Sequence, residues 1–296
     1  MLKGLVISRY EHGVGIENDA ANDRVQGNFI GTDPSGTKAL GPLTHNGFAN
    51  GVVIGNRSGI TNHIVGGHTP AARNLTSGNN DGVGVNSDGN QVSGNLIGTQ
   101  RDGKCPLGNI HSGVHIRGGS NNVVGGATPG YANTIAFSGN YGVRVEPYIG
   151  LARVGNSIIS NSIFSNAALG IELGGDGVAS LNDAGDADTG DNNLQNNPIL
   201  YSVKKTATGT TIVKGKLGSN PNQTFFIQFF SNPKGTNEGR NLLGSKTVAT
   251  DGSCNVSFTF STKKPIKPGQ NMATTATNSA TGDTSEFSAP SKIAKF

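Results

Sequence analysis

Residues 82–85 read GVGV, and the same phrase, glycine, apolar, any residue, apolar, stands at GVGI 13–16, GVVI 51–54, GVHI 113–116, GVRV 142–145 and GIEL 170–173. Successive copies lie 38, 31, 31, 29 and 28 residues apart. Longer phrases interleave with them. VQGNFIGT at 25–32 returns as VSGNLIGT at 92–99, HIVGG at 63–67 as NVVGG at 122–126, and NLTSGN at 74–79 as NTIAFSGN at 133–140. Internal repetition at this period, with no helical spacing between the apolar pairs, makes each unit one coil of a solenoid with about three short strands. A single coil cannot bury its inward face, so neighbouring coils must pair strand on strand in parallel, ~4.8 Å apart. The expected fold is all-β: a right-handed parallel β-helix over residues 1–180, its hand following the general preference of parallel connections.

Alternation along a strand assigns faces. Val14 and Ile16, Val52 and Ile54, Val83 and Val85, Val114 and Ile116, Val143 and Val145, and Ile171 and Leu173 are expected inside. The residues between them, Gly15, Val53, Gly84, His115, Arg144 and Glu172, form an outward column, followed by Glu17, Gly55, Asn86, Arg117, Glu146 and Gly174. Asn28, Asn95 and Asn161 recur at equivalent places, where asparagine tolerates a left-handed backbone and can stack its amide on the next coil.

Composition agrees with this reading. The chain has 296 residues, of which 46 are Gly and 34 are Asn, while charged residues make up only 14%. So many turn formers exclude a fold of long helices, and the glycines lack the every-third spacing of collagen. Recurrent Val/Ile runs argue against disorder. No run reaches the ~20 apolar residues of a membrane helix.

The pattern breaks near residue 175. GGDGVASLNDAGDADTGDNNLQNNPIL (174–200) has no strand period, so 181–200 is expected to be an Asp/Asn/Gly-rich cap and linker. Beyond it, TIVKGKL, TFFIQFF, LLGSKTV, CNVSFTF, NMATTATN and TSEFSA, bounded by turn formers, predict a small antiparallel Ig-like β-sandwich over 201–296, without the Cys…Trp…Cys hallmark. Charge divides the same way. Residues 1–200 carry 11 Lys/Arg against 15 Asp/Glu, and 201–296 carry 12 against 4. The lysines of the second part read as protection of sheet edges, with contact to an anionic polymer as the alternative. No specific nucleic-acid motif accompanies them.

GNFIGTDPSGT, NHIVGG, SGNNDGVGV, GIELGGDGV with LNDAGDADTGDNNLQNNPIL, and FFIQFFSNP with ATTATNSATGDTSEFS closely resemble bacterial surface or secreted proteins in which right-handed parallel β-helix repeats precede an Ig-like sandwich. Those proteins often bear an N-terminal CSLREA motif, which this chain lacks. The resemblance covers nearly the whole chain. It implies a bacterial origin and an extracellular or cell-surface setting, with a targeting segment expected ahead of residue 1.

β-Helices of the pectate-lyase and polygalacturonase kinds are enzymes, and in such a fold a polysaccharide-cleaving site would lie along the outward columns. A glycosidase needs two carboxylates about 5–9.5 Å apart; a lyase needs a base beside a group that neutralises a uronate. His115, Arg117, Arg144, Glu146 and Glu172 fall within reach of one another on adjacent coils. They read as an ion-pair ladder, as a ligand-binding patch for polysaccharide or cell-surface glycan, or as the site of a secreted polysaccharide lyase or glycoside hydrolase. The Asp-Asp and Gly-His-Gly phrases of polygalacturonases are absent, which favours a non-catalytic, adhesin-like protein. Asp183, Asp186, Asp188 and Asp191 crowd one glycine-rich stretch and offer hard oxygen ligands suited to Ca²⁺, or else form a flexible acidic linker. No organic cofactor is expected. His45, His63, His68 and His111 lack metal spacing and read as surface residues.

Overall fold

The computed structural model describes residues 1–10, 12–17, 21–42, 49–55, 62–267 and 269–292, so His45 lies outside the described residues. Within them, residues 2–173 form three parallel sheets of six strands, each coil giving one strand to each sheet. This is a parallel β-helix.

Sheet A stacks Leu2, Val25, Val65, Val92, Val124 and Ile158 in one column. Sheet B stacks Ile7, Ile30, Thr76, Ile97, Ile135 and Ile163. Sheet C contains the GVGV-type phrases in register, so that Val14, Val52, Val83, Val114, Val143 and Ile171 form one inward column and Ile16, Ile54, Val85, Ile116, Val145 and Leu173 the other. These columns merge into one continuous core. Each Val or Ile withdrawn from water there contributes ~1.5–3 kcal/mol, and the repeat supplies one at every level.

The corners are held by side-chain amides. Asn28, Asn74, Asn95, Asn133 and Asn161 form a ladder in which the Oδ1 of each of the last four accepts both the backbone N–H and the Nδ2 of the asparagine one coil below, at 2.9–3.2 Å, while Asn28 Oδ1 accepts the Leu5 N–H at 3.0 Å. A second ladder runs through Asn90, Asn122 and Asn156 to Asn192. Asn192 adopts φ 47° in a short turn at Asp191–Leu194, so the segment read as linker supplies one more rung at this corner. Gly125 shows why glycine shares these corners: its φ is 89°, and a Cβ would collide with the Ile159 carbonyl.

The last coil needs a cover, because its backbone donors have no further coil to pair with. The sandwich supplies it with side-chain oxygens. Glu238 accepts the N–H groups of Ser165 (2.6 Å) and Asn166 (3.1 Å), Asp283 that of Gly155 (2.6 Å), and Glu286 those of Leu173 (2.9 Å) and Ser180 (2.7 Å). Phe230, Ala273 and Phe287 enter the β-helix core from the same side.

The sandwich itself packs a three-stranded antiparallel sheet (Ile199–Lys205, Thr211–Gly218, Asn255–Thr262) on a four-stranded one (Thr224–Asn232, Asn241–Ala249, Asn271–Asn278, Ser291–Lys292). Phe225, Ile227 and Phe229 face the other sheet while Phe230 faces the β-helix. Burial on both faces is the reason for the apolar run TFFIQFF, whose one interior polar residue, Gln228, is hydrogen-bonded to Ser160 of the β-helix. One boundary and one strand differ from expectation. The first strand begins at Ile199, inside the expected linker. TSEFSA forms no strand, since Thr284, Ser285 and Ser288 are committed to side-chain hydrogen bonds against Asn271–Asn278 and the last β-helix coil.

Candidate functional site

Sheet C presents its outward column, Gly15, Val53, Gly84, His115, Arg144 and Glu172, in unbroken register. Its first three members are small and the next two are large and charged. The face is therefore recessed at one end and walled at the other. The recess is a trench of about 200 Å³ floored by Gly15, Val53 and Gly84 and lined by His12, Glu17, Asn50, Asp81, Asn86, His115 and Arg117. At Gly15 a Cβ would meet only the Glu17 side chain, at 3.5 Å, so the floor is open there.

The wall is an ion cluster. The His115 imidazole is held at Nδ1 by Asp81 Oδ2 (3.0 Å) and at Nε2 by Glu146 Oε1 (2.8 Å). Glu146 also pairs with Arg117 Nε through Oε1 (3.4 Å) and with an Arg144 terminal nitrogen through Oε2 (2.7 Å). The second Asp81 oxygen accepts the Ser112 N–H at 2.8 Å. Every carboxylate oxygen of the cluster is thus engaged. Arg144 stacks over Tyr141 at 5.4 Å and Arg117 over Tyr148 at 5.8 Å, and Arg117 remains 46% exposed.

Burial alone would lower the His115 pKa, but the hydrogen bonds and charges of Asp81 and Glu146 outweigh it and raise it to about 9. Burial would raise that of Glu146, but the His115 hydrogen bond and the charges of His115, Arg144 and Arg117 hold it below the usual range. His115 is therefore an imidazolium at neutral pH with both N–H groups donated. The stability it contributes is fully present below the free-histidine value of ~6.5 and is lost as pH rises through about 9. Following the ring protons by NMR should give a midpoint near 9; an ordinary midpoint near 6.5 would contradict the clamp.

Glu172, expected on the same face, is in register with Arg144 but fully buried beneath residues 174–180. Its Oε1 accepts the Gly177 N–H (3.0 Å), and burial raises its pKa. It takes no part in the wall. Asp81 is the partner that the two outward columns miss. The residues preceding each repeat glycine, His12, Asn50, Asp81, Ser112, Tyr141 and Leu169, make a third column whose first three members line the trench, and aligning them would have found it.

Asp183, Asp186 and Asp188 come together, with one carboxylate oxygen from each within 4.8 Å of the others. Asp186 is buried and accepts from Asn196 N (2.8 Å), Gln195 Nε2 (2.6 Å) and Ser219 Oγ. Asp183 Oδ1 and Asp188 Oδ1 are buried without a hydrogen-bond partner. Burial, then the Asp183 carboxylate, raises the pKa of Asp188; that of Asp186 is raised mainly by burial. Asp191 stands outside this group: its Oδ1 accepts the Arg153 N–H at 2.7 Å. His63, expected at the surface, is buried, with Nδ1 accepting the Asp23 N–H at 3.1 Å.

No protein-family model matches the chain. No curated protein matches its sequence.

Proposed function

We propose that the chain is a non-catalytic extracellular or bacterial-surface protein that binds a glycan in the trench on the lateral face of its β-helix. The observation that supports this reading is the contrast between a floor that is open at Gly15, though covered at Gly84 by the Asn50 amide, and a wall whose acids are fully engaged. A glycosidase would need one carboxyl free to give a proton and one free to act as base or nucleophile. Asp81 and Glu146 instead grip one imidazolium, which has no lone pair with which to serve as a base, so that among the described residues Glu17 is the trench-lining carboxylate outside the clamp, where a glycosidase needs two. Arg117 and the amides of Asn50 and Asn86 offer hydrogen bonds to sugar hydroxyls without supplying a reaction. Each such bond replaces one to water and nets about 1 kcal/mol, so affinity for a single sugar is modest.

A glycan array, read together with reducing-end and unsaturated-product assays on the same polysaccharides, tests this. Binding without turnover is expected, weakened by Arg117→Ala with Arg144→Ala. Turnover abolished by that pair would establish a lyase or hydrolase instead; failure to retain any glycan would remove the reading.

We further assign Ca²⁺ to Asp183, Asp186 and Asp188, on the ground that two buried, unpartnered carboxylate oxygens face a third carboxylate. An ion bound to the folded state alone raises stability by about 2.7 kcal/mol at a hundred times its Kd. The melting temperature should therefore rise between chelator and millimolar Ca²⁺, and an unchanged value would remove the assignment.

A further inference from the structure

The sandwich carries 12 Lys/Arg and only 4 acids, Glu238, Asp251, Asp283 and Glu286. Three of those acids are buried in the cap on the last β-helix coil, where they accept backbone N–H groups. Asp251 alone is exposed. The outer surface of the sandwich is therefore far more cationic than the sequence count states, and among the described residues no ion pair neutralises any of its lysines.

This charge converges on one feature. A groove of about 730 Å³ lies along the edge strand Asn241–Ala249, with Lys234, Arg240, Lys264 and Lys267 among its lining residues and no acid among them. Leu242 and Pro265 give it an apolar floor. Lys264 Nζ donates to the Leu242 carbonyl at 2.9 Å, which leaves its charge at the groove and blunts the open sheet edge. Arg240 is fixed over the Phe164 ring at 4.5 Å, while Lys234 and Lys267 stand exposed.

We propose that this groove is a second binding site, separate from the β-helix trench, and that its ligand is an acidic polysaccharide. Four cations around an apolar strip match a chain that alternates anionic groups with the apolar faces of sugar rings. Charge complementarity of this kind concentrates a polyanion at the surface and orients it. The features that would favour other polyanions are missing among the described residues. No aromatic side chain lines the groove to stack a base, as single-stranded nucleic acid requires. No large exposed apolar side chain stands there to enter a lipid surface.

Dextran sulfate and unmodified dextran share a backbone and differ in charge, so binding of the whole chain to immobilised samples of each is the test. Retention on dextran sulfate alone is expected, falling steeply as NaCl is raised towards 0.5 M because exposed pairs are screened. Lys234→Glu with Lys267→Glu should weaken it at least about tenfold at unchanged melting temperature, since each lost pair of this kind counts for up to ~1 kcal/mol and reversal adds repulsion. The more conservative Lys234→Gln with Lys267→Gln should give a smaller loss in the same direction. The control Lys204→Glu with Lys205→Glu, on the other sheet, should stay within about twofold of the parent. The proposal is overturned by equal retention on dextran, by tighter binding of oligothymidylate or anionic vesicles at the groove, by parental affinity in the groove variants, or by an equal loss in the Lys204/Lys205 control.

Discussion

Val114→Asp is expected to leave the β-helix largely unfolded at neutral pH. Val114 is fully buried, and its strand is paired on both sides, with Val83 below and Val143 above. A carboxylate placed there meets only aliphatic neighbours, which raises its pKa by ~3–5 units; it then folds largely protonated at pH 7, at a cost of ~4 kcal/mol, and the unpaired buried carboxyl adds ~1–3 kcal/mol. That is comparable with the whole stability of a typical domain, ~5–15 kcal/mol. Thermal and urea melts followed by circular dichroism check this, and Val114→Ala, which only removes packing, should fold at a lower midpoint. A Val114→Asp variant that melts like the parent would mean the column does not face inward.

Asn95→Ala is the second substitution expected to be severe, though Asn95 is polar. Its Oδ1 accepts the N–H and Nδ2 of Asn74, and its Nδ2 donates to the Val65 and Ser93 carbonyls and to Asn133 Oδ1. Truncation leaves the buried Asn74 N–H without an acceptor and opens a void at the corner. Each orphaned buried group costs ~1–3 kcal/mol, so a loss of roughly 3–4 kcal/mol is expected. Asn95→Asp keeps the acceptor but loses the donors and adds a buried charge, so it should not rescue. A midpoint in urea within error of the parent for Asn95→Ala would show that the ladder is dispensable.

These two positions mark what the sequence makes legible. The Val/Ile columns follow from period-two alternation within a thirty-residue repeat, which fixes both the inward face and the stacking partners. The expected amide ladder through Asn28, Asn95 and Asn161 is present, with Asn74 and Asn133 as intervening rungs supplied by the NLTSGN and NTIAFSGN phrases, but the left-handed backbone falls on the residues before them, Gly27, Gly94 and Ser160. What lies between the repeats is harder to read. Glu172 shares the outward column but is covered by residues 174–180, a non-periodic segment whose path no alternation rule gives. Glu238, Asp283 and Glu286 look like ordinary surface acids in the sequence; their role as the cover of the last coil depends on docking between elements more than a hundred residues apart in two of the three cases. The three clustered aspartates were visible because they are local, whereas Asp191 was separated from them by the turn that continues the second asparagine ladder. Asp81 belongs to a column just outside the strand, where the alternation argument stops.

The proposal that the trench binds a glycan is tested most directly by filling its floor. Gly15→Trp puts a large side chain where a Cβ meets only the Glu17 carboxylate at 3.5 Å, so the fold should accommodate it. Affinity of parent and variant for the best-retained glycan of the array, measured by calorimetry alongside their melting temperatures, should differ by about tenfold or more, a loss of ~1.4 kcal/mol, with the two melting curves superimposed. Equal affinities with equal stability would place glycan binding elsewhere on the molecule and contradict the assignment of the trench.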